Sequence, residues 1–190
     1  MKKSNLLALV AAALYSIPAI SIAENLVSAE DPLDMKLYSV EMSMYEGDPA
    51  AGTKAGPQKC FEVKVTGESG GFFMPKQLID IDPGKRYRLR FSAFSEGEAV
   101  IFCVGTCKDD SNQEVQLDGR YWEYRLKAEE GKTTVQSPTG GWVSMEAVIG
   151  PGEALEWPPG AAKTYMAIKI TKAEPGTIVY VKDMSAEEVR

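Results

Sequence analysis

Short alternating segments, separated by glycine and proline clusters, limit most strongly how this chain can fold. The clusters recur along the 190 residues at 47–49, 56–57, 70–71, 82–84, 140–141, 150–152, 158–160 and 175–176. Alternation of apolar and polar residues is typical of antiparallel strands with one face on a core, and the clusters are typical of turns. No helical periodicity of useful length follows residue 24. The pattern predicts an all-β chain folded as an antiparallel β-sandwich.

Two predicted strands, residues 87–93 and 120–127, place polar side chains on an outward face. Their outward residues are Arg88, Arg90, Tyr121, Glu123 and Arg125. Trp122 shares the inward face with Tyr124, so we expect it in the core. Further strands are predicted over residues 60–65, 77–81, 99–104, 166–170 and 178–184, with a weaker one over 36–44. The polar tail after residue 184 is expected to fray.

The first 23 residues have the layout of a secretory signal peptide. Lys2 and Lys3 give a positive start, residues 6–17 form an apolar run, and Ser21 and Ala23 precede the expected cleavage point after Ala23. The alternative is a retained membrane anchor, but the run is shorter than the roughly 20 residues that a spanning helix needs. We therefore expect a signal peptide over 1–23, a single domain over 24–190, and a secreted or periplasmic product without stable membrane insertion.

Charge and the absence of histidine argue against several functional classes. The chain carries 21 Lys and Arg against 27 Asp and Glu, a formal net charge of −6, and it has no histidine. An acidic surface repels nucleic acid, and without histidine the common general base and the usual zinc ligand are missing. Carboxylate chemistry remains open, but no motif pairs two acids around a cleft. We therefore expect no nucleic-acid partner and no enzymatic activity.

The three cysteines leave their pairing open. An oxidising compartment favours one disulfide and one free thiol. Cys103 and Cys107 enclose three residues and are candidates for a bridged hairpin tip. A bond from Cys60 to either of them would close a longer loop and stabilise more. For Cys60 we favour the alternative of a reduced, buried thiol.

Several motifs, in order, resemble secreted carbohydrate-binding modules found on cellulases and xylanases. Residues 82–91, DPGKRYRLRF, resemble the PGK-x-Y-x-L-x-F strand of these modules, and residues 121–124, YWEY, are similar to their W-x-x-Y strand. Residues 176–184, GTIVYVKDM, resemble the closing G-T-V-Y-I-D-D-V strand, and residues 24–27, ENLV, the N-L-V opening. The chain is thus similar to modules of families four and nine over most of residues 24–186.

This resemblance implies a galactose-binding-like jelly roll that binds a polysaccharide or an oligosaccharide. In the family, an Asp of the closing strand can hold a structural calcium ion, which implies Asp183 as a metal ligand here. The sequence departs from the family beside it, because Lys182 stands where the family often has its first Asp. No other cofactor is implied.

A sugar site needs flat aromatic rings for the apolar faces of the sugar and polar groups for its hydroxyls. Trp142 and Trp157 lie in predicted loops and are the leading candidates, with core plugs at the end of the sandwich as the alternative. A polar floor would come from Tyr121, Glu123, Arg88 and Arg90. If their strands do not lie in the concave sheet, these residues form an ordinary solvated face with cross-strand ion pairs, which is the alternative that we favour.

The sequence therefore supports two functions. The first is an exported, non-catalytic carbohydrate-binding protein. The alternative is a structural or protein-interaction β-sandwich of the periplasm or cell surface, without a sugar site. Exposed, coplanar tryptophans would favour the first, and buried tryptophans the second.

Overall fold

Two antiparallel sheets enclose one hydrophobic core in the computed structural model, which describes residue 26, residues 31–54 and residues 56–189. The predicted signal peptide lies outside the described residues, so the leader and the domain limits stay predictions. Short 3₁₀ turns cover Pro32–Asp34, Pro49–Ala51 and Glu129–Gly131. The strands are β1 Met35–Tyr38, β2 Val40–Glu46, β3 Lys59–Val65, β4 Gly70–Pro75, β5 Ile79–Asp80, β6 Arg86–Phe94, β7 Ala99–Lys108, β8 Gln116–Leu117, β9 Arg120–Tyr121, β10 Glu123–Arg125, β11 Val135–Ser137, β12 Val143–Ile149, β13 Lys163–Thr171 and β14 Ile178–Val189.

The strand order defines a large sheet and a small sheet. The large sheet runs β1-β4-β13-β7-β10, with β11 also pairing with β7 and β5 with β13. The small sheet runs β12-β6-β14-β3-β2, and β8 and β9 form a separate hairpin. The ladders between these strands are all antiparallel. The predicted all-β antiparallel sandwich is confirmed. Within the described residues, no helix is long and apolar enough to span a membrane.

The core follows the period of two seen in the sequence. In β6, Leu89 and Phe91 are buried, and in the large sheet Ile101 and Ile168 are fully buried. Successive side chains of a strand point to opposite faces, so each sheet has an inner face on this core and an outer face away from it. Side chains on the two outer faces, unlike those of the core, are in a position to contact a ligand.

The chain passes from the large sheet to the small sheet at Ser39. This residue separates β1 from β2 and has φ 57°, in the left-handed region that non-glycine residues seldom adopt. Its carbonyl accepts hydrogen bonds from the backbone N–H groups of Thr66 and Gly67, at 3.0 and 3.2 Å. These bonds hold the switch, which puts Tyr38 on the outer face of the large sheet.

The tail is a strand, so the expectation that it frays is wrong. β14 continues to Val189 and pairs with β6 along its length, with a register shift between Lys182 and Ser185. Asp183 stands at this bulge with φ 55°. A bulge adds one unpaired residue and reverses the alternation that follows it. The sequence pattern after residue 184 therefore looked irregular although Ala186 is buried in the core.

The expected disulfide is not formed: Cys60, Cys103 and Cys107 are all free and buried. Cys103 and Cys107 both lie on the inner face of β7, which runs straight through the predicted hairpin tip. Four residues of strand span about 13 Å, far beyond the separation that a disulfide bridges. Cys60 lies in β3 of the other sheet, as the reduced, buried thiol that we favoured.

Candidate functional site

The polar residues predicted to form one floor lie in different sheets. Arg88 and Arg90 are on the outer face of β6 in the small sheet, where Arg90 contacts Glu187 at 3.2 Å. Glu123 belongs to β10 of the large sheet. Tyr121 is 61% exposed in the β8–β9 hairpin. The arginines thus fit the alternative of a solvated face with cross-strand ion pairs, and no common floor exists.

Trp157 is a core residue, 7% exposed. Its ring lies edge-on to Tyr87 and Tyr124, with centroids 5.9 and 6.4 Å apart, and 6.0 Å from that of Trp122. Its indole N–H donates to the carbonyl of Lys85 at 3.2 Å. Both the ring and its donor are already used inside the protein, so the alternative of a plug at the end of the sandwich describes Trp157. Trp122 packs against the core, as expected.

Trp142 is half-buried and fixed at the edge of the small sheet. Its indole N–H donates to Asp48 Oδ1 at 2.8 Å, and Lys182 Nζ lies 4.2 Å from the ring centroid. This hydrogen bond is the largest cause that lowers the pKa of the Asp48 carboxyl below its ordinary value. Behind Trp142, the outer-face ring of Phe94 is only 4% exposed because Trp142 and Tyr180 lie against it. Phe94 is therefore covered by its neighbours, whereas Trp142 and Tyr180 are themselves half-buried.

A groove of about 720 Å³ runs beside Trp142, and we call it the Trp142 groove. Its lining mixes apolar and polar side chains, and the polar ones include Glu129, Thr134, Gln136, Thr139 and Ser144. Hydroxyls, an amide and one aromatic wall are groups that bind a sugar. The groove presents a single ring, however, and Lys182 already contacts that ring.

Asp183, the residue implied as a calcium ligand, has a protein partner in the structure. Its Oδ2 accepts a hydrogen bond from Ser92 Oγ at 3.3 Å. Within the part of the chain that the structure describes, no three acidic or cysteine side chains converge as metal ligands. The N-terminal residues that the resemblance places beside this Asp are outside that part, so the calcium site stays a prediction.

Aromatic rings from several strands lie together on the outer face of the large sheet, which the sequence pattern did not predict. We define the aromatic face by four residues on neighbouring strands, Tyr38, Phe72, Phe102 and Tyr165. Tyr38 and Phe72 are cross-strand partners, stacked with centroids 4.2 Å apart and planes 12° apart. Phe72 is followed across the sheet by Lys169 and then by Phe102. The row therefore crosses β1, β4, β13 and β7.

These rings are accessible. Tyr38 is 44% exposed, and Phe72, Phe102 and Tyr165 are half-buried. Arg125 Cζ lies 5.5 Å from the Phe102 centroid. Next to the rings, a cavity of about 420 Å³ opens between Met74, Tyr165 and the loop that carries Asn112 and Glu114. Exposed aromatic side chains that lie side by side make this face a candidate binding site.

One signal in the sequence pointed to this face. Residues 99–104 are apolar at every position, so β7 is apolar on both faces. A strand with one solvated face alternates instead. Val104 agrees with this pattern, because it lies on the outer face of β7 and is nevertheless buried, with 7% of its surface exposed. The stacking of Tyr38 on Phe72 gave no such signal, because 34 positions of chain separate them.

No protein-family model and no curated protein matches this sequence. Solved structures do match. The enzymatically active domain of tailspike protein 4 of bacteriophage CBA120 has a TM-score of 0.57 and 15% identity, but this chain spans only 21% of that chain, with 87% of its own length aligned.

Two stand-alone modules match over nearly their whole length. The CBM22-1 xylan-binding domain from Paenibacillus barcinonensis Xyn10C has a TM-score of 0.53 at 7% identity, over 89% of this chain and 94% of that one. TmCBM61, solved with β-1,4-galactotriose, has a TM-score of 0.54 at 11% identity, over 88% and 100%. The chain therefore has the β-sandwich fold of carbohydrate-binding modules. The narrower assignment to families four and nine stays a prediction.

Proposed function

We propose that this protein is a non-catalytic carbohydrate-binding protein whose sugar chain lies across the aromatic face. The observation that carries the proposal is the open row of rings on the outer face of the large sheet. The rings are held on paired strands, and Tyr38 is already stacked on Phe72, so little ordering free energy is lost when a sugar packs against them. The modules of the same fold, one named for xylan binding and one solved with a galactotriose, support a sugar as the ligand.

Polar groups lie beside the rings on the same face of the sheet. Glu123, one of the residues predicted from sequence, pairs with Thr106 in the register of β10 and β7. Tyr165 pairs with Thr106 from the other side. A carboxylate and a phenol thus stand on either side of Thr106, whose own hydroxyl donates to Glu114 at 2.8 Å. Such convergent polar groups give orientation and specificity in a ligand site.

The aromatic face is the better candidate than the Trp142 groove because it offers four rings where the groove offers one. In the groove, the ring of Trp142 is contacted by Lys182 and its N–H donates to Asp48. On the aromatic face, Tyr38 and Phe72 stack on each other and Arg125 lies over Phe102. The second candidate location for a sugar contains Trp142, Arg88 and Arg90.

Export fits this function but rests on the predicted signal peptide alone. We propose cleavage after Ala23 and release of residues 24–190 to the periplasm or the exterior, where polysaccharides are found. N-terminal sequencing of the product from the native host would test the cleavage point.

The test of the function is calorimetric titration of the protein with xylan, β-1,4-galactan, polygalacturonate and alginate fragments. Tyr38→Ala removes an exposed ring, and we expect about three- to tenfold weaker binding, the range of one aromatic contact. Tyr45→Ala is the matched control, because Tyr45 is a half-buried tyrosine of the small sheet. Circular dichroism should show an intact fold in both variants.

The outcomes separate the candidates. Loss of affinity in Tyr38→Ala but not in Tyr45→Ala supports the aromatic face. Loss in Trp142→Ala with Tyr38→Ala unchanged would move the site to the groove. If titration with every sugar chain gave no heat of binding, carbohydrate binding would be overturned and the protein-interaction module would be favoured.

A further inference from the structure

We infer that the aromatic face selects acidic sugar chains, polysaccharides whose residues carry carboxylate groups. The inference rests on the proposed function and adds the class of ligand. It comes from the cations that lie among and beside the rings, opposite apolar residues in the strand register.

Cations surround and interrupt the row of rings. Lys169 lies between Phe72 and Phe102 in the cross-strand register. Lys36 pairs with Met74 at one border of the face, and Arg125 pairs with Val104 at the other. Lys76 lines the adjoining cavity together with Lys36 and Lys108. A sugar chain lying on the rings therefore has a cation at its centre and at both borders.

The cations nearest the rings are set among apolar neighbours. Over residues 31–54 and 56–189, the ion pairs of the structure do not include Lys36, Lys76, Arg125 or Lys169. In the strand register, Lys36, Arg125 and Lys169 stand opposite apolar residues. On the outer face of the small sheet, Arg90 contacts Glu187 at 3.2 Å, and Arg88 and Lys64 stand opposite Glu187 and Glu41 in the register. These outer-face cations of the small sheet thus stand opposite acids, whereas those among the rings stand opposite apolar side chains.

A further pair of lysines lies on this face, and acids compensate its charge. Lys163 and Lys108 stand directly opposite each other on β13 and β7. Like charges in this position destabilise a sheet. Glu114 lies 3.4 Å from Lys108, and Asp80 of β5 stands opposite Lys163 on its other side. The positive charge available to a ligand therefore comes from the cations among the rings and not from this pair.

The overall charge makes this region specific rather than general. The chain carries a formal net charge of −6, so the protein as a whole repels a polyanion. Attraction arises only where the unpaired cations meet the rings. A neutral sugar chain would leave Lys169 buried under it without a partner, which is unfavourable, whereas a carboxylate gives the ammonium a charge-assisted hydrogen bond.

The experiment compares each acidic polymer with its own carboxyl-reduced form. Polygalacturonate, alginate and glucuronoxylan are titrated before and after reduction of their carboxylates to alcohols, which keeps the chain and removes the charge. We expect at least tenfold tighter binding of one acidic polymer than of its reduced form. We also expect the difference to shrink at 1 M salt, where the screening length falls to about 3 Å.

Two variants locate the effect. Lys36→Gln and Lys169→Gln should each weaken binding of the acidic polymer about two- to fivefold, the range of an exposed charge pair, and leave binding of the reduced polymer unchanged. Lys64→Gln is the matched control, because Lys64 is an exposed lysine of β3 in the small sheet. It changes the net charge equally and should have no effect.

The outcomes distinguish this inference from the function beneath it. Equal or tighter binding of the reduced polymers would overturn the preference for acidic chains and leave carbohydrate binding standing. Equal binding of poly-L-glutamate would also overturn it, since attraction would then need no sugar. Absence of binding to every polymer, acidic or neutral, would overturn both.

Discussion

Gly105 supports the aromatic face from beneath, and adding one methyl group there should disrupt it. Gly105 lies on the inner face of β7, opposite Tyr124 of β10. A Cβ at this position would overlap the distal ring atoms of Tyr124. Tyr124 is 1% exposed, its hydroxyl donates to the carbonyl of Tyr165 at 3.1 Å, and it lies 3.1 Å from Thr164 Oγ1. The glycine is therefore required by the ring and not by its backbone conformation.

The expected cost of Gly105→Ala follows from these contacts. Forcing one carbon into a packed core costs about 1–3 kcal/mol. Moving the Tyr124 ring also breaks its two hydrogen bonds, at about 1 kcal/mol each. The free energy of unfolding should thus fall by about 3–5 kcal/mol, which corresponds to a decrease in Tm of about 6–20 °C for a chain of this size. Urea unfolding followed by near-ultraviolet circular dichroism measures both.

A double-mutant cycle tests the reasoning. Tyr124→Leu removes the distal ring atoms, so Gly105→Ala in that background should cost less than 1 kcal/mol, a coupling energy of about 2 kcal/mol or more. Equal costs of Gly105→Ala in the two backgrounds would refute the proposed overlap. Because β10 also carries Glu123 and Arg125, we expect Gly105→Ala to weaken binding at the aromatic face.

Three further predictions concern the side chains described above. As the pH falls through the lowered pKa of Asp48, below its ordinary 3.8, the carboxylate that holds Trp142 is protonated, so tryptophan emission should shift in acid, and this shift should be absent in Asp48→Asn. Burial raises the pKa of Cys60 to about 11 and that of Cys107 to about 12, so iodoacetamide at pH 8 should label them only after unfolding in urea. Trp157→Ala should lower the free energy of unfolding by about 3–5 kcal/mol, as measured by urea denaturation, because it empties a buried aromatic site.

Each of these predictions has a clear opposite result. The Asp48 bond stabilises the fold above the unfolded pKa and is lost below the folded one, so a shift of Trp142 emission near neutral pH would contradict its assignment. Rapid labelling of a native thiol would contradict burial of that cysteine. A Trp157→Ala variant of unchanged stability that no longer bound sugar would return Trp157 to the ligand site.

The local pattern of residues was enough for the fold class. Alternation in residues 87–93 and 166–170 correctly predicted which side chains of β6 and β13 face the core, since those side chains are buried. The pattern failed at the Asp183 bulge, where an extra residue broke the period of two, and at Trp122, where the predicted strand 120–127 is divided into β9 and β10. Periodicity reports which residues share a face, but it does not report which sheet a strand joins.

The predicted site was wrong because periodicity does not show which sheet each outward-facing residue belongs to. Arg88 and Glu123 both point outward from the core, as predicted, but they do so on opposite sides of the sandwich. Trp142 and Trp157 are 15 positions apart, yet one lies at an edge and the other inside the core. Loop tryptophans look alike in sequence because burial depends on what packs against them.

The sequence by itself determined the all-β class, the acidic surface and the absence of histidine chemistry, because each of these depends on composition or on neighbours along the chain. Only the tertiary structure decided that Tyr38, Phe72 and Phe102 form one row and that Lys169 interrupts it, with no ion pair to an acid among the described residues. Such a row depends on strand order and register, which are set by long-range pairing in the folded state.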